Sequence, residues 1–152
     1  MRRHAGFTLV ELMITVTVLM TVVALAAPSF TDTIRDHQVR STANDFYSLI
    51  RFARAEALRS GDIVRVLPLA NEDWSKGARA LSADNTELRR VGVSGDLKIL
   101  EKNNIYALVF NGKGYLPSQV VLTVGRNQPG KPARDITVLL SGFAWNNESS
   151  GS

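Results

Sequence analysis

An apolar run near the N-terminus constrains this chain more than any other feature. Between Phe7 and Ala27 the sequence has 21 residues with a single ionisable side chain, that of Glu11. A helix of that length would be about 30 Å long, which is the thickness of the hydrocarbon core of a bilayer. Arg2 and Arg3 precede the run, and basic residues are typical of the cytoplasmic flank of a span. The run therefore predicts a single membrane pass, with the bulk of the chain exported.

Glu11 is unusual in such a segment. A carboxylate inside a membrane helix costs about 2.5–3.5 kcal/mol on insertion scales, so its presence indicates a function and a partner. Most segments that serve only as anchors do not carry one.

The residues around Glu11 carry a resemblance to a known family. A short basic leader ends in Gly6 and is followed by Phe7, by Glu11 as the fifth residue after the glycine, and by the unbroken apolar run. This pattern resembles the class III signal of type IV prepilins and pseudopilins. The resemblance implies that a membrane-embedded prepilin peptidase cuts after Gly6 and methylates the new N-terminal residue, Phe7.

The same resemblance implies that Glu11 acts in assembly. Burial of a lone carboxylate in an apolar bundle is unfavourable, whereas the amine of Phe7 on a neighbouring subunit would pair with it and recover much of the cost. A subunit placed out of register would leave the carboxylate unpaired. We therefore expect Glu11 to set the register in which pilin subunits pack.

Two ordinary interpretations of the run remain open. A secretory signal peptide is one, because Ala24-Leu25-Ala26 offers a small-residue cleavage site, although the run exceeds the usual length of about 7–15 apolar residues. A plain membrane anchor is the other. It explains the length of the run but explains neither Gly6 nor Glu11.

The rest of the chain is long enough for one domain. We expect a leader at residues 1–6, a membrane-spanning half of the helix at 7–28, a periplasmic pilin-like domain at 29–145 and a flexible tail at 146–152. The net charge is +4, to which the leader contributes two arginines. Cysteine is absent, which excludes disulfides and thiolate metal sites.

The helical pattern continues beyond the apolar run. It passes Pro28, where a kink rather than an end is expected, and stops before Gly61, so the predicted helix extends from about Phe7 to Arg59. Apolar residues at steps of three and four predict a stripe that faces a core. The stripe comprises Phe30, Ile34, Ala43, Phe46, Ile50, Ala53 and Ala57.

Charged side chains occupy the opposite face of the predicted helix. Asp36 and Arg40 are spaced for an ion pair one turn apart. Glu56 and Arg59 are spaced for a second pair. These pairs predict a solvent-facing surface on this side of the helix.

Short runs with β-like composition follow Gly61 and predict an antiparallel sheet packed on the second half of the helix, which is an α+β fold. Residues 70–85, with Trp74, are expected to form a surface loop, and Asn111-Gly112 indicates a hairpin. The predicted strands are 63–67, 88–93, 97–100, 105–110, 120–124, 136–140 and a short one at 143–145.

Segments beyond the N-terminus narrow the resemblance to one group within this family. Residues 27–30, the small-residue turn 53–57 and Trp74 with Gly77 look like the pattern of the FimT, FimU and GspH group of minor pilins and pseudopilins. The resemblance implies a type IV pilin fold and a structural subunit, not an enzyme. Beyond the leader His37 is the only histidine, so no histidine pair is available for a metal or for acid-base chemistry, and no cofactor is expected.

One predicted loop, residues 125–134, is rich in cations. It holds Arg126, Lys131 and Arg134 and no acidic residue. Three cations could contact three phosphates and bind double-stranded DNA weakly, without sequence preference and with strong salt dependence. FimT-type pilins, which the chain resembles, bind DNA through a Gly-Arg-x-Arg arrangement, and the second arginine of that arrangement is missing here. A solvated connection between strands is the alternative.

Three functions fit these features. The leading one is a minor pilin that primes assembly of a type IV pilus, near its tip, with prepilin peptidase, the inner membrane and other pilins of the same fibre as partners. The second is a DNA-binding minor pilin for natural transformation, which would use the loop at 125–134. The third is a minor pseudopilin of a type II secretion system.

Overall fold

A long helix opens the chain and an all-antiparallel β region follows it. The computed structural model describes residues 7–70, 72–126 and 132–149, without the side chains of residues 25–30. The elements are α1 (Leu9–Ser60), β1 (Val64–Ala70), β2 (Asp73–Leu81), β3 (Glu87–Gly92), β4 (Leu97–Glu101), β5 (Leu108–Phe110), β6 (Val120–Arg126), β7 (Arg134–Val138) and β8 (Ala144–Glu148). Packing divides the chain into two compact units, Met1–Arg35 and Asp36–Ser152. The division falls within α1, whereas the sequence places the start of the domain after Pro28.

The helix ends where the sequence predicts. The amide of Gly61 donates to the carbonyl of Ala57 at 2.9 Å, and Gly61 has a φ of 71°. Glycine reaches this left-handed conformation without the clash that a Cβ would cause, so it closes the last turn. α1 also continues through Pro28, which confirms that this proline does not end the helix.

The second half of α1 buries one stripe of side chains. The predicted members Ala43, Phe46, Ile50, Ala53 and Ala57 are all at most 1% exposed, and Val39 and Leu49 join them. Ile34 was expected in the stripe but is 58% exposed, because the buried part of the helix begins only at Val39. The side chain of Phe30 lies outside the described residues.

The strands form two sheets, where the sequence indicated one. The first has the order β3-β2-β1-β5 and the second the order β4-β6-β7-β8, and every pairing is antiparallel. Both sheets contribute to a single core with α1. Their buried residues include Val64, Val66, Leu108, Phe110, Leu122, Val124, Ile136 and Val138. The resulting α+β arrangement is the fold class that the sequence predicts.

The prediction of a surface loop at residues 70–85 is wrong. Most of this segment is β2, which pairs with β1 on one side and β3 on the other. Trp74 is 2% exposed, and its indole N–H donates to the carbonyl of Ile105 at 3.3 Å. The inward residues Ala78 and Ala80 are small and give a weak strand signal, so contacts with the neighbouring strands decide the conformation.

Pro68 does not end β1 as predicted. The strand continues to Ala70 with a shift of register after Pro68. Strand β5 pairs with β1 only from Val64 to Val66, so no strand lies beside Pro68 on that edge. A proline, which lacks an N–H donor, is tolerated at such a position.

The segment at Asn111-Gly112 is a turn but does not form the predicted hairpin, since the flanking strands β5 and β6 belong to different sheets. The Asn111 side-chain oxygen accepts hydrogen bonds from the amides of Lys113 and Tyr115, both at 3.0 Å. These bonds reverse the chain without pairing two strands. The other predicted strands are present with shifted ends.

Two strands differ from prediction for identifiable reasons. β5 is shorter than predicted, because the amide of Ile105 donates to a carboxylate oxygen of Glu101 at 2.5 Å and not to a neighbouring strand. β8 is longer, because Asn146 pairs with Ile136 and Glu148 with Arg134. The described part of the expected tail at 146–152 is therefore mostly strand.

Candidate assembly site and basic loop

Thr8 and Glu11 form the first turn of α1. The amide of Glu11 donates to the Thr8 hydroxyl oxygen at 3.2 Å, and the hydroxyl lies 3.5 Å from the Glu11 carboxylate. Thr8 is the N-cap of the helix, in the Thr-x-x-Glu pattern that satisfies free amides at a helix start. A carboxylate in the first turn also interacts favourably with the helix dipole. Sequence reasoning missed Thr8, although the Thr-x-x-Glu spacing was available to find it.

The large apolar side chains around Glu11 are exposed in the single chain. Phe7, the first described residue, is 71% exposed. Others at 56–75% exposure are Leu9, Val10, Leu12, Met13, Ile14, Val18, Leu19, Met20, Val22 and Val23. An apolar surface of this extent indicates contact with other chains or with lipid. Gly6 lies outside the described residues.

In the part of the chain that the structure describes, no helix has both the length and the hydropathy needed to span a bilayer. The single pass predicted for residues 7–27 stays a prediction.

The arginines of the predicted DNA-binding loop lie on two different strands and have different carboxylate partners. Arg126, at the end of β6, is 4% exposed and forms an ion pair with Asp36 of α1. Arg134 opens β7, and its guanidinium lies 3.4 Å from the carboxylate of Glu148. Lys131 lies outside the described residues. Strands β6 and β7 pair with each other, so the two arginines lie on neighbouring strands, but each has a carboxylate partner.

The charged side chains of α1 form one of the two ion pairs that the sequence predicts. Glu56 and Arg59 form the expected ion pair, and their hydrogen bond holds the pKa of Glu56 below its ordinary value. Asp36 pairs with Arg126 on β6, where a pair with Arg40 was expected. His37 is exposed. Within residues 7–70, 72–126 and 132–149 no group of three or more His, Asp or Glu residues could hold a metal ion.

Two family models match this chain, one over the domain and the other over the N-terminal segment. A family model described as "Type II transport protein GspH" matches residues 42–142. A second model, "Prokaryotic N-terminal methylation motif", matches residues 1–27 and therefore includes the segment around Glu11. No curated protein sequence matches the chain.

Solved structures resemble the fold. The type IV minor pilin FimU of Pseudomonas aeruginosa matches with a TM-score of 0.67 and 20% identity, over 76% of this chain and 96% of that one. The minor pseudopilin EpsH of the Type 2 Secretion System of Vibrio cholerae matches with a TM-score of 0.59 and 15% identity, over 72% of this chain and 96% of that one. At these identities the likeness shows a shared fold.

Proposed function

Because this chain belongs to the GspH family and so is a minor pilin or pseudopilin, we propose that it is a minor pilin that primes assembly of a type IV pilus near its tip. The observation that carries the proposal is the methylation motif at residues 1–27 on the same chain as a GspH-type domain at 42–142. Such subunits are structural and have no catalytic role.

The first step of the proposed role is processing at the N-terminus. Prepilin peptidase would hydrolyse the peptide bond between Gly6 and Phe7 and methylate the amine of Phe7. The leader would be residues 1–6, and the exposed apolar part of α1 that follows would hold the chain in the inner membrane until it joins other pilins. The domain after it would lie in the periplasm.

The second step is assembly into the fibre, and we propose that it depends on Glu11. Its carboxylate lies in the first turn of α1, next to the Thr8 hydroxyl and close in sequence to the new N-terminus. In a packed fibre this turn would be surrounded by apolar side chains, where an unpaired carboxylate is costly and the amine of Phe7 on a neighbour is the natural partner. We propose that this pair selects the packing register.

A pseudopilin of a type II secretion system is the second candidate. The description of the family model and the fold of EpsH favour it. Deletion of the gene separates the two candidates: loss of surface pili with normal export of secreted enzymes supports a pilus, and the reverse result supports secretion. Complementation with the unaltered gene controls for effects on neighbouring genes. Complementation with a Glu11→Ala form tests whether the function requires the carboxylate.

DNA binding for natural transformation has less support from the described contacts, because Arg126 and Arg134 both pair with carboxylates. The full chain in detergent, titrated with double-stranded DNA at two salt concentrations, tests it. We expect no salt-sensitive binding. Binding that weakens steeply with salt and is lost on replacing Arg126, Lys131 and Arg134 with alanine would restore DNA uptake as the function.

A further inference from the structure

One edge of the second sheet is open. In the described part of the chain, β8 pairs with β7 on one side and with no strand on the other. The amide of Ser149 donates to the carbonyl of Ala133, and the amide of Leu139 donates to the carbonyl of Phe143, so odd-numbered residues of this strand face β7. Backbone groups alternate in direction along a strand. The residues whose amides and carbonyls face the open edge are therefore Ala144, Asn146 and Glu148.

The other three outer strands are protected in ways that β8 is not. β5 is three residues long, and β3 carries two arginines. The amide of Ile99 on β4 donates to the Ser75 hydroxyl oxygen at 2.9 Å, so that edge is already bonded to β2. β8 is five residues long and has no basic residue and no proline, and its one charged residue is Glu148. Short length, charges and prolines are the usual protections of an edge, so β8 is the outer strand most open to a partner.

A groove of about 400 Å³ lies where β8 begins, between that strand and α1. Leu58 and Phe143, which are 51% and 57% exposed, give it apolar walls. Farther along β8, the side-chain amide of Asn146 donates to the side-chain oxygen of Asn44 at 2.9 Å, so the strand continues beside the helix. An extended segment laid along the open edge of β8 would therefore reach this groove at one end.

Two arginines of α1 line the groove, and no acidic residue lines it among the described residues. The guanidinium of Arg51 lies 5.6 Å from the centre of the Tyr47 ring, and the Arg54 Nε donates to the carbonyl of Gly114 at 3.3 Å. Both side chains are thus held in place without a carboxylate partner in the described part of the chain. Guanidinium groups bind carboxylates through charge-assisted hydrogen bonds, so the groove fits a ligand that brings a carboxylate.

The position of the groove favours the end of a chain as that ligand. The chain turns back from β7 to β8 at Gly142, where a Cβ would lie 2.0 Å from the Gly114 carbonyl oxygen, so this turn is packed tightly against its neighbour. The open edge offers no backbone group beyond Ala144, and an added strand has to end there or leave the sheet. A strand that ends there runs antiparallel to β8, as every other pair in the two sheets does. Its terminal carboxylate lies beside the two arginines, and its last side chain lies against the apolar walls.

We propose that β8 and this groove bind the C-terminal segment of another protein, which adds an antiparallel strand to the second sheet and places its terminal carboxylate between Arg51 and Arg54. Main-chain hydrogen bonds to the open edge supply affinity, and the groove selects a free carboxylate that follows an apolar residue. The outer strands β3 and β4 of a second copy carry cations, which the two arginines repel. This site goes beyond the assembly role proposed above, which does not specify how a different protein is held.

A pair of peptides tests the carboxylate site. The probe is Thr-Val-Thr-Val-Leu with a fluorescent label on its amine, prepared with a free C-terminal carboxylate and, as the matched control, with a C-terminal amide. Fluorescence anisotropy with the full chain in detergent gives both affinities. We expect the carboxylate form to bind at least about tenfold more tightly, since it alone makes charge-assisted hydrogen bonds.

Charge reversal in the groove tests the role of the arginines. Arg51→Glu should remove the preference for the carboxylate form while both peptides still bind along the edge, and that binding also shows that the variant folds. Lys98→Glu, the same charge change at an exposed position on β4, should keep the preference. A preference that Arg51→Glu leaves unchanged overturns the proposed site.

Amide hydrogen exchange tests the added strand. The carboxylate peptide should slow exchange at the amides of Ala144 and Asn146, which face the open edge, and leave Trp145 and Asn147, which face β7, unchanged. Failure of either peptide to bind, equal affinities of the two forms, or unchanged exchange at the open edge overturns the proposal. Slow exchange at the edge without peptide, increasing with protein concentration, shows that a second copy occupies it and also overturns the proposal. These measurements use no fibre, so their failure leaves the proposed assembly role intact.

Discussion

Arg126 at the end of β6 and Asp36 on α1 form an ion pair between residues that are 90 positions apart in the sequence. The arginine side chain is 4% exposed and the aspartate 34%. A buried guanidinium is costly without a carboxylate partner, so the pair ties the end of β6 to the helix.

Loss of this pair should destabilise the domain. We expect Asp36→Ala to lower the free energy of unfolding by about 1–3 kcal/mol, because a mostly buried cation loses a partner. Urea unfolding of the full chain in detergent measures it, with Asp45→Ala on the exposed side of α1 as the control. Asp36→Ala in an Arg126→Met background should cost less, and equal costs in both backgrounds would argue against coupling between the two side chains.

Processing should depend on Gly6. We expect Gly6→Leu to block cleavage, because a branched side chain would occupy the position next to the scissile bond. The measurement is the size of the protein on a gel from cells that contain prepilin peptidase. His4→Leu, in the same leader, should leave cleavage unchanged. A band of mature size from the Gly6→Leu form would count against the proposed site.

Assembly should depend on the charge of Glu11. We expect Glu11→Ala to be cleaved normally but to enter fibres at least about tenfold less often, since a charge-assisted pair contributes about 1.5–3 kcal/mol. Immunoblots of sheared fibres and of membranes give the two quantities. Glu11→Gln, which keeps the shape but not the charge, should behave like the alanine form. Normal incorporation of either form would refute the register argument.

The close approach at Gly142 should tolerate no side chain. A Cβ there would meet the Gly114 carbonyl oxygen at 2.0 Å, and the φ of 75° is strained for alanine. We expect Gly142→Ala to cost about 1–3 kcal/mol of stability in urea unfolding. Gly92→Ala, where a Cβ meets nothing within 4 Å, is the control. Equal stabilities of the two variants would contradict this packing.

Stability should fall in acid partly through Asp84, which lies in the turn between β2 and β3. Hydrogen bonds from Ser82 and Thr86 hold the pKa of its carboxyl below the ordinary 3.8. A carboxyl with a lowered pKa stabilises the fold above its ordinary pKa, and this contribution is lost as the pH falls through that value and below it. Asp84→Asn should therefore lower the urea midpoint at pH 7 and flatten its decline between pH 5 and pH 3. Parallel curves for the two proteins would show that the turn makes no such contribution.

Much of the fold could be predicted because its signals are local. The helix is specified by spacing at three and four residues, and its end by Gly61, so both were found within a residue or two. The buried stripe from Ala43 to Ala57 followed from the same period. Strand β2 was missed because two of its buried residues, Ala78 and Ala80, are alanines, and alanine is placed in a strand here by pairing with the neighbouring strands.

The candidate site also has a part that the sequence predicts and a part that only the structure shows. The leader glycine, Phe7 and Glu11 form a contiguous motif, so their roles were proposed from the sequence alone and the methylation-motif match covers them. Arg126 was taken for a solvent-facing cation, because nothing near it in sequence shows that Asp36 would cover it. The hydrogen bond from the Arg54 Nε to the carbonyl of Gly114 likewise joins residues from distant parts of the chain.

The sequence by itself determined the family motif, the long helix and the α+β class, since each depends on residues that are neighbours along the chain. The tertiary structure alone decided the division of the strands into two sheets, the burial of Arg126 and the close approach of Gly142 to Gly114. These depend on which distant segments pack together, and that choice is made by the sum of many contacts in the core and not by any single stretch of residues.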